Sequence, residues 1–444
     1  MTGAAPFPRF LGWVASLFQR IRRSGGDAPA GPLLVVANHP NSLLDPLVLF
    51  RVLGRPTRPL AKAPLFEQRI LGWILRQLGG LPVYRAQDFP GETHRNQGTF
   101  DAVARALREG DAVQIYPEGI SHSLPGLAEI RTGAARIALQ AESEGNWEVG
   151  LRILPVGLTY ARKNLFRGEV LAVVGTPIPV TPWRDAFQAD PQEAARGLTR
   201  EIQAALEGLV VQLADPDEVE LVEVADRIWT RERGEVPFRT REELEARFPR
   251  LRGFARAAAW LRDTHPDRYA RLSSRIRAYG RMTRRLGSAD AEVPAAYPLG
   301  SSLRHLAERG VPLLLGLAPA LAGTLLWAPT YWGTRFAVDR IETTVETAST
   351  YKLAAGASLA PLNITAVALA LGWWLGWPWA VGAAILMIPL GLVGVAWWER
   401  WRQLREDARL FLHLLARPGR RERLARIRTE LLREMEAVRE EMGG

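Results

Sequence analysis

Residues Leu359–Trp398 form a run of 40 positions without a charged side chain. This run constrains the fold more than any other part of the chain. It is long enough for two bilayer-crossing helices of roughly 20 residues each. Gly376-Trp377-Pro378-Trp379 divides it near the middle, and Gly and Pro punctuate helices. The run therefore reads as a membrane hairpin turning at 376–379, with a hairpin buried in a soluble core as the alternative. A second apolar stretch, Val311–Trp332, is interrupted by Pro312, Pro319 and Pro329. Residues 399–444 form a charged helix crowded with Arg, and the positive-inside rule places it in the cytoplasm. A hairpin returns the chain to the side it left. A full crossing by 311–332 would put the tail and the first half of the chain on opposite sides, so 311–332 is expected to be re-entrant or interfacial. Arg335–Lys352, between the two apolar stretches, is amphipathic and is expected at the membrane surface.

The chain has 444 residues, enough for two or three domains, and a net charge of +10 carried by 54 Arg and only 3 Lys. A basic balance suits an anionic partner, either nucleic acid or membrane lipid. No nucleic-acid motif is visible, and 15 Trp, many beside apolar runs and Arg, fit an interfacial belt. There is no Cys, which excludes disulfides, thiolate nucleophiles and Cys-based zinc sites. Phe7–Arg23 is apolar with a basic end, and Leu11, Val14, Phe18 and Ile21 fall at helical spacing. The charges follow the apolar part and no cleavage pattern is clear, so it is not a signal peptide. Residues 1–30 read as an amphipathic segment lying on the membrane, or else packed on the domain's own core. Residues 31–214 form the α/β region, closed by a helix whose Leu198, Ile202, Leu206, Leu209 and Leu213 share one stripe. Residues 215–310 are charged and helical, with a capping box expected at Thr240 and Glu243.

Chemistry concentrates in the α/β region. Leu33–Ala37 reads as a buried strand, and Asn38-His39-Pro40-Asn41-Ser42-Leu43-Leu44-Asp45 follows it. A His at a strand end with a carboxylate close behind has the parts of a general base and its orienter. Six positions on a continuous helix would place the two on different faces. A turn must therefore bring them together, and Pro40 biases His39 away from helical geometry. Three further blocks follow. Gly79–Arg85 is a turn, a short strand and an Arg. Ala112–Ser121 is a strand that stops at Pro117 and opens into a Glu118-Gly119 turn. Ile153–Leu158 is a short strand broken by Pro155. Each puts polar groups at a strand end, where an α/β sheet holds its ligand.

Together these blocks resemble the glycerolipid acyltransferase family, which acylates glycerol 3-phosphate or lysophosphatidic acid. The resemblance covers roughly residues 30–180. It rests on Asn38-His39 with Asp45, Gly80 to Arg85, Pro117-Glu118-Gly119 with Ser121, and Pro155, with support from Ala61–Phe66 and Arg131-Thr132-Gly133. The family's common spacing has four residues between His and Asp where this chain has five, and Ile120 intervenes before Ser121. The resemblance implies an acyltransferase domain with a central sheet flanked by helices. A helical region and the C-terminal membrane hairpin would follow it. It also implies acyl-CoA or acyl-carrier protein as co-substrate, a phosphorylated glycerol acceptor, and no metal or bound cofactor.

The residue chemistry is consistent with that. A glycerol hydroxyl needs a base to become a nucleophile, which suits His39. Arg85 offers a planar fork for phosphate. Lys62 and Arg131 either add positive charge to the site or are solvated surface residues. Glu118 cannot ligate phosphate; it orients the turn or hydrogen-bonds an acceptor hydroxyl. Gly119 permits a tight turn, and Ser121 completes the candidate substrate set. Gly119-Ile120-Ser121-His122-Ser123 approaches a hydrolase nucleophile elbow but lacks its final Gly. His94, His122, His265, His305 and His413 show no ligand spacing and read as surface or core residues, although His122 lies near the site in sequence. The expectation is an enzyme in the cytoplasmic membrane with its catalytic domain on the cytoplasmic side. A non-catalytic lipid-binding or membrane-organising protein is the rival reading.

Overall fold

The computed structural model describes residues 6–84, 96–161, 163, 165–230, 243–285, 299–341, 344, 347–415 and 418–443. The chain divides into two compact units. The first comprises Met1–Ala214, Leu244–Phe248 and Thr343–Thr350; the second comprises the rest.

The first unit is built on an eight-stranded sheet. Its strands are β1 (Gln19–Gly25), β2 (Leu33–Ala37), β3 (Arg58–Lys62), β4 (Leu81–Val83), β5 (Ala112–Ile115), β6 (Arg152–Tyr160), β7 (Gly168–Val174) and β8 (Ile178–Pro179). Their order is β1-β7-β6-β2-β5-β3-β4, with β8 pairing β6. β6, β2, β5, β3 and β4 run parallel to one another, and β7 is antiparallel to β6. All five residues of β2 are fully buried, as a continuous apolar run at the centre of a parallel sheet requires. Val103 and Leu107 from the helix Asn96–Arg108, Ile137 from Gly133–Glu144, and Leu198, Ile202 and Leu206 from Pro191–Glu207 join the sheet in one core.

Two sequence expectations change here. The N-terminal amphipathic helix is shorter than its periodicity suggests: Pro6–Phe18 is helical, and Gln19–Gly25 is an edge strand pairing β7 from Gln19↔Gly168 to Gly25↔Val174. Ile21 therefore lies in a strand. Pro155 does not break its strand either, since β6 runs nine residues through it. β8 pairs β6 at Arg152 and Ile153, and β7 pairs it from Val156 onward. Pro155 occupies the gap, where its missing N–H removes no ladder bond, while its carbonyl still accepts from Gly175 N at 2.9 Å.

The second unit is helical. Pro216–Thr230, Leu244–Thr264 beyond Phe248, Pro266–Arg285 and Pro418–Glu441 enclose a core that includes Leu221, Ile228, Leu261, Ile276, Leu431 and Met435. Buried Glu218 accepts from Tyr269 Oη at 2.7 Å and from Arg262. The uncharged run lies in two helices, Ala348–Leu375 and Trp377–Leu415, separated at Gly376 with φ +96°. Only Gly takes that conformation without strain. Ala348–Leu375 and Trp377–Arg405 are long and apolar enough to cross a membrane. The second continues as helix to Leu415, so no break marks the start of the charged tail at 399, and Pro418–Glu441 is a further helix. The stretch 311–332 belongs to two helices, Leu299–Leu315 and Leu317–Val338, bent by 56° about Gly316. Leu317–Val338 packs along Trp377–Leu415, with Trp327 Nε1 donating to Met387 O at 2.7 Å and Trp398 Nε1 to Thr324 Oγ1 at 3.0 Å. Thr240 of the expected capping box lies outside the described residues, as does Arg239.

Candidate active site

Because β6, β2, β5, β3 and β4 are parallel, their C-terminal ends share one edge. His39 follows β2, Glu118 follows β5, Lys62 ends β3 and Tyr160 ends β6. At about 4.8 Å per strand, Lys62 lies two strand spacings, about 10 Å, from the end of β2. Arg85 falls outside the described residues.

After β2 the chain turns through Pro40–Leu43 and enters the helix Leu44–Val52. The turn places His39 Nδ1 2.9 Å from Asp45 Oδ2. The Asp45 side chain is fully buried, and that of His39 keeps about 20 % of its surface. A buried carboxylate needs donors, and Asp45 has three. Besides the imidazole, Asn41 N donates to Oδ2 at 2.7 Å and Tyr160 Oη to Oδ1 at 2.7 Å. Burial, and then the Asp45 charge, push the Tyr160 phenol well above its ordinary range, so it remains a proton donor. The imidazole stacks on Tyr116 with centroids 4.0 Å apart and planes 16° from parallel. One ring nitrogen is thus bonded and one ring face covered, which leaves Nε2 for chemistry. Tyr116 is pushed up in the same way, first by burial and then by Asp45.

Glu118 is 2 % exposed and faces inward. Its Oε2 accepts from His39 N at 2.8 Å; its Oε1 accepts from Ala128 N at 3.1 Å and faces His122 Nε2 at 2.8 Å. Leu124 N donates to His122 Nδ1 at 3.1 Å, so the proton on a neutral His122 sits on Nε2 and points at Glu118. Glu118 therefore braces the turn. Ser121 Oγ accepts from Ser42 N at 3.0 Å and donates to His39 O at 3.0 Å. It touches the main chain of His39 rather than its ring, which leaves it without the base a serine nucleophile needs. Gly119 adopts φ +71°, and the Arg131 guanidinium lies over it, with Nε 3.3 Å from where a Cβ would stand. Lys62 and Arg131 are both exposed at this end of the unit.

The geometry thus brings together His39, Asp45, Glu118 and Ser121. It adds residues that the sequence did not single out, Tyr160, Tyr116 and, as more than a neighbour in sequence, His122, and it gives Asn38 of the matched run a structural task. Asn38 clamps β2 to β6, donating to Leu158 O at 3.0 Å and accepting from Leu158 N at 2.7 Å. A Tyr at the last position of an apolar parallel strand was the available signal for Tyr160. Nothing local marks Tyr116, which lies on the strand-to-turn junction before Pro117. Among the described residues no group of three or more His, Asp or Glu is placed to hold a metal ion.

Residues 20–159 match the family model described as Acyltransferase. The chain is 24 % identical over 388 residues to an uncharacterized acyltransferase, C1718.04, of Schizosaccharomyces pombe, covering 68 % of this chain and 56 % of that one. It is 30 % identical over 135 residues to glycerol-3-phosphate O-acyltransferase 2 of Saccharomyces cerevisiae, covering 30 % of this chain and 18 % of that one. Glycerol-3-phosphate O-acyltransferase 1 of the same yeast is 22 % identical over 279 residues, with 59 % and 36 % covered. The chain therefore spans at most about half the length of these curated relatives. Among solved structures, the 1-acyl-sn-glycerophosphate acyltransferase of Thermotoga maritima aligns with a TM-score of 0.34 at 17 % identity, over 45 % of this chain and 76 % of that one.

Proposed function

We propose that this chain, which through residues 20–159 belongs to the glycerolipid acyltransferase family, is a membrane-bound enzyme of glycerolipid synthesis. It transfers a fatty acyl group from a thioester to a hydroxyl of a glycerol-phosphate acceptor. The observation that carries the reading is the 2.9 Å contact between His39 Nδ1 and buried Asp45 at the end of β2. His39 Nε2 takes the acceptor hydroxyl proton as the oxygen attacks the thioester carbonyl. Asp45 holds the tautomer with Nδ1–H and stabilises the imidazolium. The tetrahedral intermediate then expels the thiolate, which recovers the proton from His39, leaving an ester and a free thiol. Arg85, two positions past β4 in sequence, is assigned to the acceptor phosphate by its two-point fork, with Lys62 and Arg131 adding positive charge. The donor is acyl-CoA or acyl-carrier protein, and the acceptor is lysophosphatidic acid or glycerol 3-phosphate. The two apolar helices support an integral membrane protein, and we assign the catalytic unit to the cytoplasmic face of the inner membrane.

The test is an assay of the purified full chain in detergent. It uses labelled acyl-CoA and acyl-carrier protein against a panel of glycerol 3-phosphate, lysophosphatidic acid and other lysolipids. Ester formation with a phosphorylated acceptor, abolished in His39→Ala, is expected. Turnover that survives His39→Ala would overturn the mechanism. Lipid binding without turnover on any acceptor would favour a non-catalytic lipid-binding protein. Arg85→Lys should raise KM for the phosphorylated acceptor several-fold with little change in kcat, since one point charge replaces a fork. An unchanged KM would remove Arg85 from the phosphate site.

A further inference from the structure

The catalytic turn can be accounted for donor by donor, because buried N–H groups need partners. From His39 to Asp45 there are six main-chain N–H groups, Pro40 having none. His39 N donates to Glu118, Asn41 N to Asp45 and Ser42 N to Ser121. Leu44 N donates to Asn41 O at 3.0 Å and Asp45 N to Ser42 O at 3.3 Å. The sixth partner comes from 307 positions away: Leu43 N donates to Thr350 Oγ1 at 3.3 Å. The turn has reason to need it. Ser42 sits at φ +42°, a conformation that costs a non-Gly residue of order 1 kcal/mol or more and persists only when its surroundings hold it. A second contact ties the same segment to the other side of the pair. Buried Ser349 donates from Oγ to Lys163 O at 2.7 Å, in the loop that follows Tyr160, the residue holding Asp45 Oδ1. Thr343–Thr350 accordingly belongs to the same compact unit as Met1–Ala214, although Ser349 and Thr350 lie at the head of the apolar helix Ala348–Leu375.

We propose that Thr350 is a positioning residue for the His39–Asp45 pair. The head of the first apolar helix then completes the catalytic turn, and the acyltransferase unit is not finished until the chain has passed residue 350. Thr350 acts through Leu43 and the turn, not on substrate. The inference deepens the acyltransferase reading and rests on it for its kinetic consequence.

The test uses the full chain in detergent with Thr350→Val, which keeps the shape and removes the acceptor, and Thr350→Ser, which restores it. Thr350→Val should lower kcat about 3- to 10-fold, the kinetic equivalent of one weak hydrogen bond, with KM for donor and acceptor within about twofold. Thr350→Ser should return kcat to within about twofold of wild type. Hydrogen exchange supplies a readout that needs no turnover. A peptide covering residues 41–50 should exchange faster in Thr350→Val, while one covering β7 should not change. Unchanged exchange in the 41–50 peptide would overturn the proposal, as would equal loss of kcat in the Val and Ser variants. If wild type acylated no acceptor yet Thr350→Val still loosened the 41–50 peptide, the acyltransferase reading would fail and the bracing of the turn would stand.

Discussion

At the scale of single residues, His39 can act as a base only while its imidazole is held by one nitrogen and one face. Asp45 holds Nδ1 and Tyr116 covers the face. His39→Ala should lower turnover by at least ~100-fold with folding intact, and Asp45→Asn should lower it by misorienting the ring. Near-wild-type rates in either would sink the pair as base and orienter. Tyr160→Phe leaves Asp45 Oδ1 buried without that donor, so kcat should fall roughly tenfold while KM for both substrates stays put. Tyr116 predicts the opposite. Its hydroxyl is buried with no hydrogen-bond partner among the described residues, whereas its ring carries the stack. Tyr116→Phe should therefore keep kcat within about twofold and leave stability unchanged or improved, because a buried unpaired hydroxyl is a cost. The same residue carries a pH signature. A phenol whose pKa is raised in the folded state stays protonated there while its unfolded counterpart ionises from about pH 10. Stability is therefore insensitive to this phenol below that pH and falls as pH rises beyond it. Melting temperature against pH should fall less steeply above pH 10 in Tyr116→Phe than in wild type; identical slopes would reject the assignment.

At the scale of elements, the site depends on two neighbouring strands staying in register to their ends. Asn38 performs that task, with both polar atoms bonded to the main chain of Leu158. Asn38→Ala would leave a buried N–H and a buried carbonyl unpaired, each costing about 1–3 kcal/mol. Chemical denaturation of the catalytic unit should shift by about 2–6 kcal/mol, and a shift below about 0.5 kcal/mol would remove Asn38 from this role. These strands were legible in the sequence because buried parallel strands are nearly pure apolar runs, as in Leu33–Ala37 and Ala112–Ile115. The edge strand Gln19–Gly25 was not legible, because Gln19, Arg20, Arg22 and Arg23 show no strand pattern and only pairing with β7 defines it. Pro155 misled for a related reason: whether a Pro interrupts a strand depends on which side its neighbour lies, and that is a tertiary fact. Within the site, His39, Asp45 and Glu118 were legible because their spacing after strands is local. Tyr160 and Thr350 meet the turn from 115 and 307 positions away, and no local pattern encodes such a meeting.

At the scale of the whole molecule, connectivity constrains how the chain meets a bilayer. Leu244 N donates to Glu169 at 2.7 Å, and Ser349 and Thr350 bond to Lys163 and Leu43, so both ends of the stretch between them are fastened to the sheet unit. That stretch must cross the membrane an even number of times. A single crossing by Leu299–Val338 is therefore not expected, in keeping with its 56° bend at Gly316. The helix Pro216–Thr230 begins just after Ala214, and it shares a core with Pro418–Glu441 through Leu221, Leu424 and Leu431. From that shared core and the covalent link at Ala214 we predict that the C-terminal helix faces the same side of a bilayer as the sheet unit, the two apolar helices between Thr350 and Pro418 then making two crossings or none. Their length, and the exposed Trp373, Trp374, Trp377 and Trp379 around Gly376, favour two, with those indoles at the far interface. Because the chain has no Cys, single cysteines report without background. Cysteine substituted for Ser123 or Glu422 should resist a membrane-impermeant thiol reagent in intact cells and react once the cells are opened. Cysteine substituted for Trp379 should be labelled from outside. Labelling at 422 with 123 protected would mean an odd number of crossings and would break the packing argument for the C-terminal helix. Release of the protein by alkali without detergent would mean none, since a spanning pair leaves the bilayer only when detergent replaces the lipid around it.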